Sequence, residues 1–255
     1  MVSLPIFHSK VAMRLDVFLA DAGLVDSRTE AKNFITIGAV KVNGSVVVKP
    51  SHDVLGDEEI IVDKSSKKYV SRGGLKLERA LNEFGIDPKG ALAIDIGASS
   101  GGFTDCLLKK GATHVIAIDS GFGQMVQSIR EDTRVTVIEN FNARYMNPDD
   151  FEYVPTLAVM DVSFISAKLI FPAVARIISE GGDFVCLIKP QFEVGKSGLS
   201  KKGIVKNDVL RNSAVKDVIS FAMCCGFDHL GLIESPILGG DGNIEYLAHF
   251  RKKQN

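Results

Sequence analysis

The chain has 255 residues, 45% of them hydrophobic and 24% charged, with no Trp and a formal net charge of -1. This apolar share supports a packed core and excludes a disordered chain, while near-neutrality excludes a protein that coats nucleic acid by bulk charge. The length fits one large domain or a small plus a medium one, and a local basic surface remains compatible with the neutral total.

The start, MVSLPIFHSKVAMRLDVFLADAG, holds no apolar run of signal-peptide length. No stretch approaches the roughly 20 apolar residues that span a bilayer, so a soluble, cytoplasmic protein is expected. Cys106, Cys186, Cys224 and Cys225 form no CxxC pair and read as reduced, buried thiols. From Arg14 onward, Leu15, Phe18 and Leu19 recur at helical spacing up to Gly23. Ser27 stands three residues before Glu30, a capping-box pattern, and Ala31, Phe34 and Ile35 continue one helical face to Gly38. The period then changes to two: Val40 and Val42, an Asn43-Gly44 turn, Val46 and Val48, and finally Ile60 to Val62. A small helix-helix-strand domain over residues 1–66 is expected. The basic, Ser- and Gly-rich stretch KSSKKYVSRGG follows, read as a linker over 67–74, with a larger domain over 75–255.

In the larger domain, strand-like runs ALAIDI (91–96), HVIAID (114–119), VTVIEN (135–140), TLAVMD (156–161) and DFVCLIK (183–189) alternate with helical intervals. Those intervals fall near 75–84, 103–110, 124–130, 166–179 and 207–225, the rhythm of an α/β, doubly wound parallel sheet. Two further strands, near 227–233 and 244–250, are joined by SPILGGDGN, too short for a crossover helix, so they should pair antiparallel.

The first of these strands ends in Asp95, followed by the small-residue loop Gly97, Ala98, Ser99, Ser100, Gly101, Gly102 and then Phe103 at the head of a helix. Such glycines let a backbone approach a ligand closely. The loop reads GASSGG, not GxGxxG, which weakens a nicotinamide reading. Asp119 ends the next strand, where a carboxylate can accept both hydroxyls of an adenosine ribose. Either Asp alone reads as well as a helix cap; together with the loop they favour ligand binding. EVGKSG (193–198) imitates a phosphate-binding loop, but Pro190 stands where that pattern needs its first glycine.

The motifs RLDVFLADAGL, SRTEAKNFI, GAVKVNG and VVVKPS resemble the small RNA-binding module of the ribosomal protein S4 type. That resemblance implies that Arg14, Arg28, Lys32, Lys41 and Lys49, with Arg72 beyond them, present positive charge to RNA phosphates. YVSRGGLKLERAL, DIGASSGGFTDCLL, MDVSFIS, LIKPQFEVG and GNIEYL extend the similarity over the whole chain, to the TlyA family, whose members are often labelled haemolysin A and whose catalytic half is FtsJ-like. The resemblance implies a Rossmann-like class I methyltransferase sheet of five parallel strands plus a terminal antiparallel hairpin. It further implies S-adenosylmethionine as cofactor, a ribose 2'-hydroxyl as acceptor, ribosomal RNA or a ribosomal subunit as partner and cytidine as the nucleoside. The family's Lys-Asp-Lys-Glu set falls on Lys76, Asp161, Lys189 and Glu245, and the cofactor would touch Asp95, the 97–103 loop, Asp119, Asn142 and Asp161. Asn142 stands where many such enzymes carry a carboxylate.

A ribose hydroxyl must lose its proton as the methyl bond forms, and Lys189 is the expected base. Burial and a second cation, Lys76, would favour its neutral amine; Asp161 and Glu245 would orient the site and hold Lys76 protonated, although the sequence leaves both lysines open as the base. No metal is expected, since the five histidines show no ligand spacing. A cytolysin, a catalytically silent ribosome-binding protein and an NAD-linked oxidoreductase are the rival readings.

Overall fold

In the computed structural model the described residues are 12–36, 38–64, 68–239 and 242–254. Lys67, where the expected linker begins, and part of the SPILGGDGN connector lie outside them. The chain forms two compact units that divide between Arg72 and Gly73.

In the first unit, α1 (Leu15–Asp21) and α2 (Arg28–Thr36) pack with Leu15, Leu19, Ala31, Phe34 and Ile35 inward. The α2 start is capped as its sequence suggests: Ser27 Oγ accepts the Glu30 N–H at 3.1 Å, and the Glu30 carboxylate accepts the N–H of Asp26 at 2.8 Å. β1 (Met13–Arg14) pairs with β4 (Asp53–Val54), and β2 (Val40–Val42) lies between β3 (Ser45–Val46) and β5 (Ile60–Val62). The Asn43-Gly44 turn has φ of 49° and 77°, as a two-residue hairpin requires. Contrary to the expected alternation, Val46 and Val48 are exposed, and Val47 packs on the core instead. The two-residue turn sets Val42 opposite Ser45, so the face of Val40 and Val42 continues through Ser45 and Val47.

Asp16 is fully buried in this small unit and is held by two arginines: Arg14 Nε at 2.9 Å and Arg28 Nε at 3.1 Å. Burial pushes its carboxyl up, but the hydrogen bonds and charges of Arg14 and Arg28 outweigh it and leave it below the ordinary carboxylate range. The resulting stabilisation is present above that range and fades as pH falls through the lowered value. Asp16→Ala is expected to cost roughly 1–3 kcal/mol, because it leaves two guanidiniums without their partner. Urea unfolding of the full chain measures this, and an unmoved midpoint for the first unit would refute it.

The second unit is built on a seven-stranded sheet ordered β11-β12-β10-β9-β6-β7-β8. β6 (Leu92–Ile96), β7 (His114–Ile118), β8 (Val135–Ile138), β9 (Leu157–Met160) and β10 (Asp183–Ile188) run parallel; β12 (Tyr246–Lys252) is antiparallel to β10 and to β11 (Phe227–Glu234). α3 (Gly73–Phe84), α4 (Gly102–Lys109), α5 (Gln127–Arg130), α6 (Phe171–Ile177) and α7 (Asp208–Cys224) accompany the strands. Gly73 and Gly74, which composition places in the linker, are the first residues of α3. The expected helix over 166–179 is cut to α6 because Pro172 lacks an N–H and its ring blocks a helix from running back through residue 168. α5 is likewise only four residues long.

One core face gathers Phe171, Phe184, Phe227 and Phe250, all fully buried, with ring centroids 5.3–6.3 Å apart, largely edge to face. Cys106 and Cys186 are buried as expected, but Cys224 is exposed where α7 ends. The chain leaves β6 for β7 and β8 on one side and returns to β9 on the other. The carboxyl ends of β6 and β9 therefore frame a topological switch point, where open α/β sheets bind their ligands.

Candidate active site

At the end of β6 the chain turns through Gly97–Gly101 into α4. Gly97 has φ 84°, and a Cβ there would lie 2.7 Å from the carbonyl oxygen of Asp161, so the close passage of β6 beside β9 admits only glycine. Ser99 adopts a left-handed φ of 48°. It is held there by its N–H donating to Asp119 Oδ2 at 2.8 Å and its hydroxyl donating to Gln124 Oε1 at 3.2 Å. Ala98, Gly101, Gly102 and Phe103 are buried, Gly97 and Ser100 half-buried, and Ser99 exposed. The first N–H groups of α4, at Gly102 and Phe103, have no intrahelical acceptor.

Ile96 is level with Ile118 on one side and Met160 on the other, which lines up Asp119 and Asp161 one residue beyond their strands, with Asp95 behind them. Asp95 is fully buried. Its Oδ2 accepts the Thr104 hydroxyl at 2.7 Å and its Oδ1 has no hydrogen-bond partner. Burial, aided by the charges of Asp161 and Asp119 and opposed by Thr104, pushes its carboxyl up to about 7. Asp119 accepts Gly121 N–H at 2.7 Å as well as Ser99 N–H, leaving lone pairs on both oxygens for hydroxyl donors. This sheet edge is thus acidic, and the buried Asp95 Oδ1 is among its acceptors without a hydrogen-bond donor. Such an edge favours a cationic ligand, whereas a pyrophosphate would approach Asp95, Asp119 and Asp161. Asn142, expected nearby, spends its side-chain oxygen on the N–H of Arg144, capping a short turn.

On the same edge, Lys189 follows β10 and Asp161 follows β9; they form an ion pair at 2.6 Å, and the ammonium's directed hydrogen bond goes to Ser163 Oγ at 2.7 Å. Lys76, buried on α3, pairs with buried Glu245 at 2.6 Å. Glu245 directly precedes β12, next to Tyr246, which is level with Ile188. Of the two carboxylates expected to orient the site and hold a lysine protonated, Glu245 touches Lys76 and Asp161 touches Lys189. Gln191, two residues beyond Lys189, donates to the other Glu245 oxygen at 3.2 Å and braces the Lys76–Glu245 pair. Gly239 leaves the space that the Glu245 carboxylate fills.

Several residues that shape this edge carried no sequence signal. Glu193, pushed up by burial, accepts the Ser166 hydroxyl at 2.6 Å and the Ala167 N–H at 2.7 Å, fastening the segment after Asp161 to the segment after Lys189. Phe164, between Ser163 and Ile165, is 92% exposed with φ 65° and leans on Phe192 at 5.3 Å. A bulky residue held at positive φ and displayed to solvent marks a constrained loop.

Among the expected RNA-binding residues, Lys32, Lys41 and Lys49 are exposed and form no ion pair among the described residues. Arg14 and Arg28 are instead the two partners of Asp16, so their first role is to hold the small unit together. Arg72 is half-buried as that unit's last residue. Among the described residues no group of three or more His, Cys, Asp or Glu is placed to hold a metal ion.

Five parallel strands with an antiparallel pair at one edge, and a glycine-rich turn at the switch point, define a class I methyltransferase sheet. The chain belongs to the FtsJ-like methyltransferase family, which matches residues 69–252, and carries an S4 domain over residues 13–60. It is 45% identical to Hemolysin A of Brachyspira hyodysenteriae, over 93% of this chain and 99% of that one. It is 41% identical to the 16S/23S rRNA (cytidine-2'-O)-methyltransferase TlyA of Mycobacterium tuberculosis, over 93% of this chain and 89% of that one. A solved structure described as "Putative hemolysin from Streptococcus thermophilus" superposes with a TM-score of 0.76 at 43% identity, covering 97% of this chain and 90% of that one.

Proposed function

We propose that this chain transfers the methyl group of S-adenosylmethionine to a ribose 2'-hydroxyl of ribosomal RNA, with cytidine as the nucleoside, and that it works in the cytoplasm where ribosomal subunits are assembled. The observation that carries the reading is the joining, along one sheet edge, of an acidic ligand site with the Lys189–Asp161 pair. S-adenosylmethionine fits that site because it brings an ammonium to the acidic edge backed by the buried Asp95, ribose hydroxyls for Asp119 and a carboxylate for the first turn of α4. The exposed ring of Phe164, three residues beyond Asp161, offers a face on which a nucleobase can stack.

Bound S-adenosylmethionine supplies an electrophilic methyl group on a sulfonium. Lys189 contacts the 2'-oxygen and orients it in line; once it has released to water the proton that ties it to Asp161 as an ion pair, its neutral amine accepts the hydroxyl proton as the carbon–oxygen bond forms. Asp161 and Ser163 fix the direction of the lysine nitrogen. The Lys76–Glu245 pair, braced by Gln191, holds the adjoining wall and presents a cation toward the charge developing on oxygen. The basic face of the S4 domain supplies affinity for RNA backbone through Lys32, Lys41 and Lys49.

Gly97→Ala tests the cofactor loop. The added methyl must push β9's Asp161 aside from a left-handed residue, and the Kd for S-adenosylmethionine is expected to rise roughly 10- to 100-fold. Calorimetry reads this, with circular dichroism confirming the fold; unchanged affinity would place the cofactor elsewhere. The function itself is tested by incubating the chain and tritiated S-adenosylmethionine with each ribosomal subunit and with free ribosomal RNA. Label entering RNA supports the reading, and cofactor binding with no RNA labelled contradicts it.

A further inference from the structure

The connection between β10 and α7 carries a surface that methyl transfer itself does not use. Residues 194–207, VGKSGLSKKGIVKN, hold four lysines and no carboxylate in a chain of net charge -1. Lys201, Lys202 and Lys206 are exposed and form no ion pair among the described residues. Loop lysines are ordinarily solvated charges on a loose backbone, but here the backbone is pinned. Ser200 N–H donates to the Ile204 carbonyl at 3.0 Å, Ile204 N–H donates to Ser200 Oγ at 3.1 Å, and Gly203 N–H donates to the Ser200 carbonyl at 2.8 Å.

Asn243 clamps the same loop from beneath. Its buried side chain accepts the Val205 N–H and donates to the Gly203 carbonyl, both at 3.0 Å. Asn243 stands two residues before Glu245, and its own carbonyl accepts the N–H of Gly239, the residue packed on the Glu245 carboxylate. The lysine loop is therefore fixed to the strand that delivers Glu245, at the sheet edge where Lys189 lies.

We propose that the loop 199–206 is a docking surface for the phosphate backbone of the substrate RNA, through Lys201, Lys202 and Lys206, beside the ribose that is methylated. This rests on the RNA-methylation reading above and adds a contact surface in the catalytic unit to that of the S4 domain. Cations without carboxylate partners take up phosphate without first breaking an ion pair, and the pinned backbone lowers the ordering cost. Residues 194–207 include none of the exposed large apolar side chains that insertion into a lipid surface requires, which favours RNA over a membrane.

The test compares the full-length wild type with the triple variant Lys201→Gln, Lys202→Gln, Lys206→Gln and with Lys89→Gln, an exposed lysine before β6 at the opposite sheet edge. Binding to purified ribosomal subunits is measured between about 50 and 200 mM salt, alongside calorimetry with S-adenosylmethionine and steady-state methylation. In the triple variant the slope of log K against log salt is expected to shrink by about 2, at 0.7–0.9 per phosphate contact. KM for RNA should rise at least tenfold with kcat within about twofold, cofactor Kd unchanged, and Lys89→Gln like wild type. An unchanged slope, an equal change in Lys89→Gln, or loss of binding only to phosphatidylglycerol vesicles would overturn the proposal while leaving the methyltransferase reading intact. A wild type that binds subunits but methylates no RNA would overturn that reading instead.

Discussion

Lys189→Ala lowers kcat for RNA methylation by roughly 10²- to 10⁴-fold, the range for losing a positioned proton acceptor, and leaves the Kd for S-adenosylmethionine within about threefold. The expectation follows from placement: Lys189 lies past the end of β10, tied to Asp161 at 2.6 Å and Ser163 at 2.7 Å, whereas the cofactor loop closes β6. Asp161→Ala is expected to match it in kcat, because the lysine nitrogen then loses its anchor. Single-turnover methylation and calorimetry on both variants check this. Equal loss of cofactor binding in the two would assign the pair to the cofactor pocket and leave the proton acceptor to be sought at Lys76. Removing either member of the Lys76–Glu245 pair is a poorer probe of chemistry, since both are buried and breaking such a pair costs about 3–5 kcal/mol of stability.

The affinity for S-adenosylmethionine falls as pH drops below about 7, by up to tenfold per unit, and Asp95→Asn removes that dependence while weakening binding at higher pH. The Asp95 carboxyl lies at about 7 in the free protein, against an ordinary 3.8. Between those values the folded chain holds a proton that the unfolded chain has released, so stability conferred by the neutral carboxyl declines as pH rises and levels off above about 7. A cofactor ammonium bound beside Asp95 favours its ionised form, so cofactor binding below about 7 expels a proton. Calorimetry in buffers of different ionisation enthalpy reads that proton directly. A pH-independent Kd with no proton release would mean that the cofactor ammonium is held elsewhere.

The parallel strands were legible because each is a short apolar run with a polar residue at or beside its end, as Asp95, Asp119, Asp161 and Lys189 are. The capping of α2 by Ser27 and Glu30 and the left-handed Asn43-Gly44 turn were equally readable, since both are local. What was missed depends on burial and on partners that only the fold brings together. Arg14 and Arg28 read as free charges because nothing marks Asp16 as a fully buried acceptor for both. The roles of Ser163, Gln191, Glu193 and Asn243 arise only when β9, β10 and β12 bring their ends together. Pairing of Asp161 with Lys189, not Lys76, is likewise set by the sheet order. Val46 and Val48 were misplaced because the hairpin register, not the run of valines, decides which face each occupies.

The central claim, that the methylated atom is a ribose 2'-oxygen, is tested most directly by alkaline hydrolysis of ribosomal RNA labelled by this chain with tritiated S-adenosylmethionine. A 2'-O-methyl group removes the neighbouring nucleophile for phosphodiester cleavage, so the label is predicted to emerge in an alkali-resistant dinucleotide with cytidine at its 5' side. Label in a mononucleotide would place the methyl group on a base and contradict the assignment of Lys189 and Asp161 to ribose chemistry.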